Sequence, residues 1–259
     1  MILEDFHIHT NYCDGKNSPE EMVRAAVELG MKRMGFSCHS YTDFDESYCI
    51  KKEKIAEYRA EIRDLAKRYK DKIEILCGVE QDYYSNEPTD VFDYVIASVH
   101  YVNKNGKFFE IDGSEKDFIK LAEEQYGGDY MALCEGYFEN VGDVIKKTKG
   151  DIIGHFDLVT KFNEGNRLFN TSDKRYVSVA KQAIDKLLAY NKPFEINTGA
   201  ISRGYRSEAY PENGLLKYIF ENGGRVILSS DSHSVDSLLG QFEVYEKIAK
   251  EIGFDSFNF

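Results

Sequence analysis

The chain has 259 residues, which is enough for one barrel-sized domain or two ordinary ones. Its formal net charge of −12 at pH 7 argues against a protein whose main partner is the phosphate backbone of a nucleic acid. Hydrophobic residues make up 42% and charged residues 30%, as is usual for a soluble globular protein. No apolar run approaches the length of a membrane span, so we expect no membrane partner.

The cysteines and the first residues of the chain indicate its compartment. There are five cysteines, an odd number, and no CxxC pair, which favours a reducing compartment over a disulfide scaffold. Residues 1–5 include no basic segment and lead into no long apolar segment, so we expect no signal peptide. No Pro/Gly/Ser-rich linker divides the chain. We therefore expect a cytoplasmic protein with a single domain over residues 1–259, either a monomer or a homodimer.

Strand-like runs alternate with helical patterns along the whole chain. Ser18 and Glu21 predict a capping box at the start of the first helix, and residues 101–113 predict a loop or hairpin. The apolar runs predict seven strands, at about residues 3–8, 33–38, 73–80, 94–99, 151–155, 193–197 and 225–230. Amphipathic spacing predicts helices at about residues 18–30, 55–69, 115–126, 129–148, 176–188, 215–223 and 242–252. This alternation predicts an α/β fold of parallel strands joined by right-handed crossovers.

The six histidines all lie at or just beyond the ends of these strands. On a strand, residues i and i+2 point to the same face, so His7 and His9 are expected side by side. One histidine in such a place is usually a satisfied core or turn residue, but that explanation does not account for all six together. Because active sites of α/β folds collect at the carboxyl ends of parallel strands, we expect one common site there. The six residues are His7, His9, His39, His100, His155 and His233.

Six imidazoles are too many for one metal ion, because a zinc ion takes about four ligands and keeps a water molecule when it is catalytic. Asp14, Glu80 and Asp231 add carboxylates near the same strand ends. A carboxylate can bridge two cations, and mixed nitrogen and oxygen ligands without thiolate suit zinc, manganese or iron. We therefore predict a site for two or three divalent metal ions built from these histidines and carboxylates.

Formal charge indicates the kind of substrate. Three dications and three carboxylates leave a charge of about +3, which a bridging hydroxide and a phosphate monoester dianion together cancel. A carboxylic ester or an amide would leave the site with excess positive charge. The pattern therefore predicts a metal-dependent phosphomonoesterase in which a metal-bridging hydroxide attacks phosphorus.

A set of short motifs runs in order from residue 7 to residue 233. They are His7-Ile8-His9, His39, Gly78-Val79-Glu80, Ser98-Val99-His100, Gly154-His155-Phe156-Asp157 and Ser230-Asp231-Ser232-His233. As an ordered set they resemble the motifs of the PHP (polymerase and histidinol phosphatase) superfamily. The stretch Glu195-Ile196-Asn197-Thr198, followed by Arg203, is most similar to the free-standing histidinol-phosphatases. The resemblance implies a distorted (β/α)7 barrel, related to the TIM barrel, that hydrolyses L-histidinol phosphate in histidine biosynthesis at a trinuclear metal site.

The resemblance also implies how the ligands are shared among three metal positions, with Glu80 as a bridge between the first two. The three sets are His7, His9, Glu80 and Asp231; Glu80, His100 and His155; and His39, His233 and Asp14. In many relatives the loop after the first motif supplies a histidine to the third position. This loop has no histidine, and Asp14 is the nearest candidate in its place.

Three basic residues near the predicted site are candidates for binding the substrate phosphate. Arg203 and Arg206 follow the sixth strand, and Lys161 lies six residues beyond His155. Arginine presents a fork of donors that matches phosphate oxygens, although a solvated loop arginine is the alternative for the two arginines. Lys161 could bind phosphate in the same way. The predicted catalytic residues are Glu80, Asp231, His233 and Arg203. Of these, Asp231 and His233 are the titratable groups nearest to a leaving alcohol that needs a proton.

Two other functions are compatible with the same residues. A PHP phosphoesterase with another substrate, such as a nucleotide, a sugar phosphate or a phosphotyrosine peptide, would have the same metal ligands. A non-catalytic metal-binding regulatory module would share the fold, but degenerate sites usually lose ligands. A panel of phosphate monoesters distinguishes the first alternative, and metal content measured beside hydrolysis of an aryl phosphate distinguishes the second.

Overall fold

Eight parallel strands form the barrel in a computed structural model of the chain, which describes residues 2–257 and 259. Two of them follow one another along the chain and together take one of the seven positions around the barrel. The strands are β1 (Glu4–Asp5), β2 (Arg33–Phe36), β3 (Glu74–Cys77), β4 (Val79–Asp82), β5 (Val95–Ser98), β6 (Tyr101–Lys104), β7 (Lys107–Glu110), β8 (Ile152–Ile153), β9 (Phe194–Asn197) and β10 (Val226–Ser229). The helices are α1 (Pro19–Glu28), α2 (Ile55–Tyr69), α3 (Glu115–Tyr126), α4 (Tyr130–Thr148), α5 (Lys174–Leu188), α6 (Gly199–Ser202), α7 (Asn213–Glu221) and α8 (Phe242–Ile252).

Two sheets, β1-β2-β3 and β10-β9-β8-β5-β4, join at both edges to close the barrel. At one seam the His9 N–H donates to the Ser232 carbonyl at 2.8 Å, and the Ser232 N–H donates to the His7 carbonyl at 3.0 Å. At the other seam the Ser40 N–H donates to the Glu80 carbonyl at 2.8 Å. The barrel strands pair in parallel throughout the described residues. The predicted α/β fold, a distorted (β/α)7 barrel, is confirmed.

The strand predicted at residues 73–80 is interrupted at Gly78, so the prediction of one continuous strand was wrong. The part before Gly78, β3, pairs with β2, whereas the part after it, β4, pairs with β5. A Cβ atom on Gly78 would lie 2.3 Å from Cζ of the buried Tyr94 ring. The hydroxyl oxygen of Tyr94 lies 2.6 Å from the carbonyl oxygen of Phe6 and 3.1 Å from that of Phe36, so its one hydrogen is donated between them and the ring is held in place. The chain therefore passes from one sheet to the other at Gly78, where the ring of Tyr94 fills the space that a side chain would need.

The helices agree with the amphipathic pattern. Ser18 and Glu21 form the predicted capping box at the start of α1, and β6 and β7 form the predicted hairpin. The one-turn helix α6 was not predicted, and it places Arg203 directly at its end. Each large apolar side chain that the helices bury contributes on the order of 2 kcal/mol by leaving water. Within the described part of the chain, no helix combines the length and the apolar character needed to cross a bilayer.

Candidate metal centre

The carboxyl ends of the barrel strands bring all the predicted metal ligands to one place. The rings of His7 and His9 have centroids 5.1 Å apart, as expected for residues on the same face of one extended segment. His233 enters the site from the loop after β10, and its Nε2 lies 3.1 Å from Oδ2 of Asp14. Asp14 is exposed and His233 is half-buried, whereas the other predicted ligands are buried. They are His7, His9, His39, Glu80, His100, His155 and Asp231.

Glu80 lies between two groups of imidazoles and presents one carboxylate oxygen to each. Its Oε1 lies 2.8 Å from Nε2 of His155 and 3.2 Å from Nε2 of His100. The distances from Oε2 are 2.8 Å to Nδ1 of His39, 3.3 Å to Nε2 of His7 and 3.5 Å to Nε2 of His9. Because the two oxygens face different groups of nitrogens, the carboxylate has the placement of a bridging ligand.

Several buried atoms of the cluster have no hydrogen-bond partner within residues 2–257 and 259. They include His7 Nε2, His9 Nε2 and Glu80 Oε2, which face one another. A buried polar atom without a partner costs about 1–3 kcal/mol, and a cation between them would satisfy nitrogen lone pairs and carboxylate together. Ligand atoms within 4.8 Å of one another occur in four sets: His7, His9 and Asp231; His7, Glu80 and His155; His39, Glu80 and His100; and His9, Asp14, His39 and His233. The residues present therefore fit divalent metal ions.

For Glu80 and His9, the surroundings favour the ionisation states that metal binding requires. Burial raises the pKa of the Glu80 carboxyl, but His39 and His7 outweigh it and hold the pKa well below its usual range. Burial, followed by the charges of His233 and His39, lowers the pKa of His9 to about 3. The Glu80 carboxylate is thus ionised and His9 is neutral near pH 7.

His7 differs from His9 because carboxylates surround it. Burial lowers the pKa of His7, but Glu195, Glu80 and Asp231 outweigh this effect and raise the pKa well above its usual value. A cation that binds at Nε2 of His7 must therefore displace a proton.

Arg203 lies at the edge of the cluster and contacts Asp231 twice. Its Nη2 donates to Oδ2 of Asp231 and its Nη1 donates to the Asp231 carbonyl, both at 2.9 Å. Nη1 is also 3.1 Å from Nδ1 of His233. Asp231 has a φ of 50°, in the left-handed region that few residues other than glycine adopt, which is typical of a functional site. Arg203, Asp231 and His233 thus form one connected group beside the imidazoles.

The other two predicted phosphate ligands have different partners. Nη1 of Arg206 donates to the carbonyl of Thr160 at 3.0 Å and also contacts the Thr160 hydroxyl. Nζ of Lys161 donates to the Asp112 carbonyl at 2.6 Å. In the described structure both side chains therefore tie loops together beyond the barrel rather than joining the cluster of predicted metal ligands.

The sequence reasoning missed two carboxylates that lie behind the imidazoles. Oε1 of Glu195 is 2.7 Å from Nδ1 of His7, and Oδ2 of Asp82 is 3.2 Å from Nδ1 of His100. Both had a signal in the sequence. Glu195 is a charged residue within a buried strand run, and Asp82 follows Glu80 by two positions, on the same face of β4.

A sequence profile of the PHP domain family matches residues 5–199. The chain belongs to the PHP domain family. This result confirms the resemblance that the motifs indicated. Asp231 and His233, in the last PHP motif, lie beyond the matched range, but the structure brings both to the same site.

Several named proteins are similar to this PHP chain in sequence. It is 30% identical over 234 residues to the "Probable histidinol-phosphatase" of Schizosaccharomyces pombe, covering 83% of this chain and 74% of that protein. It is 29% identical over 269 residues to the "Probable histidinol-phosphatase" of Deinococcus radiodurans, covering 97% of this chain and 94% of that protein. It is 23% identical over 269 residues to the "Histidinol-phosphatase" of Bacillus subtilis, covering 95% of this chain and 98% of that protein.

Two crystal structures share the PHP fold with this chain. One is a protein of Listeria monocytogenes with the provisional name histidinol phosphatase hisK, with a TM-score of 0.83 and 22% identity over 93% of this chain and 99% of that one. The other is the histidinol phosphate phosphatase of Lactococcus lactis in complex with zinc, L-histidinol and phosphate. Its TM-score is 0.68, with 23% identity over 98% of this chain and 95% of that one.

Proposed function

We propose that the protein is a histidinol-phosphatase that hydrolyses L-histidinol phosphate to L-histidinol and phosphate, a step of histidine biosynthesis. The observation that carries the proposal is Glu80, whose two oxygens face separate groups of histidines at the carboxyl ends of a PHP barrel. The names of the relatives that match most of the chain agree with this substrate. The sequence alone predicts a phosphoric monoester hydrolase. The similarity to these relatives supports the same reaction.

We propose that the site holds two or three divalent metal ions, of zinc, manganese or iron. His7, His9, Glu80 and Asp231 would hold the first, and Glu80 with His100 and His155 would hold the second. The third would be held by His39, His233 and Asp14, and His9 Nδ1 at 3.7 Å from Oδ1 of Asp14 lies close to this set. When bound, the metal ions lower the pKa of a water molecule and polarise the phosphoryl oxygens.

Arg203 is proposed to bind the phosphoryl oxygens of the substrate. Its guanidinium contacts Asp231 and His233, so it lies where phosphate oxygens would meet both the arginine and the metal ligands. A cation in this position stabilises charge as it moves onto the leaving alkoxide. That alkoxide needs a proton donor such as a metal-bound water, and Asp231 and His233 are proposed as the titratable groups nearest to it. Arg206 and Lys161 are less direct candidates, because Thr160 and Asp112 already bind them.

The remaining properties are proposals from the sequence. We propose one domain over residues 1–259, as a monomer or a homodimer in the cytoplasm, with a small phosphorylated substrate as its main partner. The net charge of −12 supports the absence of a nucleic-acid partner.

The proposed substrate is tested by phosphate release from L-histidinol phosphate beside a panel of other monoesters. The panel contains a nucleoside monophosphate, a sugar phosphate, a phosphotyrosine peptide and an aryl phosphate. We expect kcat/KM for histidinol phosphate to exceed each of the others by at least about 100-fold, since a site that matches polar groups of its substrate rejects analogues that lack them. A higher kcat/KM for another member of the panel would assign that substrate instead, and no hydrolysis at all would leave only a metal-binding module.

A further inference from the structure

Glu195 is a carboxylate that three hydrogen-bond donors surround. Its Oε1 is 2.7 Å from Nδ1 of His7, and its Oε2 accepts the main-chain N–H of His155 at 3.0 Å. The side-chain amide of Asn197 donates to the same Oε2 at 3.2 Å. Glu195 is fully buried, and within the described residues His7 is its only ion-pair partner. A buried carboxylate is costly unless it is paired and hydrogen-bonded, so this position has a specific requirement for one.

The contact with Glu195 decides which nitrogen of His7 is free. A carboxylate can only accept, so Nδ1 of His7 carries a hydrogen and donates it. In the neutral ring, Nε2 then has its lone pair available. Nε2 has no hydrogen-bond partner in the part of the chain that the structure describes, and it lies 3.3 Å from Oε2 of Glu80 and 3.8 Å from Oδ1 of Asp231. The ring is therefore held with the free nitrogen toward the carboxylates of the proposed first metal position.

The same carboxylate reaches the proposed second metal position. The N–H that it accepts belongs to His155, whose Nε2 is 2.8 Å from Oε1 of Glu80. His7 follows β1 and His155 follows β8. Glu195 of β9 therefore links segments that follow two different strands, behind the metal ligands. A displacement of Glu195 would move one ligand of each position.

We propose that Glu195 is a positioning residue that fixes His7 and His155 for metal binding. This inference rests on the metal centre in the proposed function and deepens it. Histidine ligands of metals commonly donate their other ring nitrogen to a carboxylate, and removal of that partner typically weakens metal binding by about 10–100-fold. Glu195 itself belongs to none of the four sets of candidate ligand atoms found among the described residues.

The test replaces the carboxylate while keeping the size of the side chain. Donors approach both oxygens of Glu195, but the glutamine of Glu195→Gln has only one acceptor oxygen. Its amide NH2 must therefore face a donor. The metal-free protein is titrated with zinc in competition with a chromophoric chelator. We expect the zinc affinity of Glu195→Gln to fall about 10–100-fold and the visible spectrum of the cobalt-substituted protein to change.

Asp151→Asn is the control. Asp151 is a partly buried carboxylate just before β8, and its Oδ2 accepts the Val95 N–H at 3.1 Å at the start of β5, at the opposite end of the strands from the site. Because this carboxylate has no hydrogen bond with any of the predicted metal ligands among the contacts described, its removal should leave zinc affinity and the cobalt spectrum unchanged. If Glu195→Gln does not fold, Glu195→Asp replaces it, since that carboxylate is shorter by one methylene and should weaken binding in the same direction.

Two results would overturn the inference, and they are distinguishable. If the wild-type protein binds zinc while Glu195→Gln binds it equally well and only unfolds at lower urea concentration, Glu195 has a structural role and the proposed function stands. If the wild-type protein binds no divalent metal, the inference and the proposed function fail together.

Discussion

Nε2 of His155 lies 2.8 Å from Oε1 of Glu80, although 75 positions separate the two residues in the chain. The other oxygen of the same carboxylate lies 2.8 Å from Nδ1 of His39. β8 leads into His155, β2 into His39, and β4 contains Glu80, so the contact depends on barrel closure. The centre of the site is thus one side chain that faces ligands from both sheets.

Glu80→Gln should abolish most of the activity and reduce the bound metal. The glutamine side chain has the same size, but it has no charge and one acceptor, so it cannot face both groups of ligands as the carboxylate does. We expect turnover of histidinol phosphate to fall more than about 100-fold, since even outer contacts of metal ligands cost about 10–100-fold. Metal analysis and phosphate release on the same sample measure both effects.

Glu53→Gln, at an exposed position before α2, is the control and should behave as the wild type. A Glu80→Gln variant with full metal content and near-normal turnover would remove Glu80 from the bridging role.

Arg203→Ala should weaken phosphate binding while metal still binds. Loss of a charge-assisted contact costs roughly 2–3 kcal/mol, which corresponds to about 30–150-fold in the inhibition constant of inorganic phosphate. Arg203→Lys keeps a cation beside Asp231 but loses the planar fork, so we expect an intermediate effect. Competitive inhibition of hydrolysis by phosphate provides the measurement.

Arg225→Ala is suited as a control because Arg225 is at the opposite end of β10 and binds the carbonyl of Asn191. Inhibition by phosphate that is equal in the wild type and both Arg203 variants would exclude Arg203 from the phosphate site.

Hydrolysis should invert the configuration at phosphorus. Cys13, the cysteine beside the site with Sγ 3.5 Å from Nδ1 of His9, is a poor nucleophile because burial raises its pKa well above the usual value. Water is then the expected nucleophile, in a single displacement. A single turnover in heavy-oxygen water should place the label in phosphate, and a substrate with a chiral phosphoryl group should give inverted product. Retention, or a phosphorylated side chain, would be inconsistent with this mechanism.

Gly78→Ala should destabilise the barrel at the seam between its sheets. The added Cβ would lie 2.3 Å from the ring of Tyr94, whose hydroxyl is anchored between the carbonyls of Phe6 and Phe36. Overpacking of this kind costs about 1–3 kcal/mol, measurable as a lower free energy of unfolding in urea. Gly214→Ala is the matched control, because Gly214 lies in α7 with open space around it and alanine should be neutral or stabilising there. Equal stability of Gly78→Ala and the wild type would contradict this explanation of the interruption at Gly78.

The predicted ligands could be identified from sequence because each histidine follows a strand-like run, and parallel strands bring their carboxyl ends together. His7 and His155 could be predicted as ligands without knowing which strands are neighbours. The role of Glu195 could not be predicted in this way, because it follows from the position of Glu195 on β9, within reach of both histidines. The interruption at Gly78 depends on a ring from a distant part of the chain, so local pattern could not indicate it. The partners of Arg206 and Lys161 lie in a short 3-10 turn (Thr160) and in a bend (Asp112), whose positions periodicity does not predict.

The most direct test of the metal-dependent reaction removes the metal and returns it. The purified chain is treated with a chelator until its metal content falls below about 0.1 equivalents, then assayed with L-histidinol phosphate before and after addition of zinc, manganese or iron(II). We expect phosphate release to disappear with the metal and to return in proportion to two or three equivalents bound. Full activity of the metal-free protein, or metal binding that restores no phosphate release, would contradict a phosphatase built on Glu80 and the six histidines.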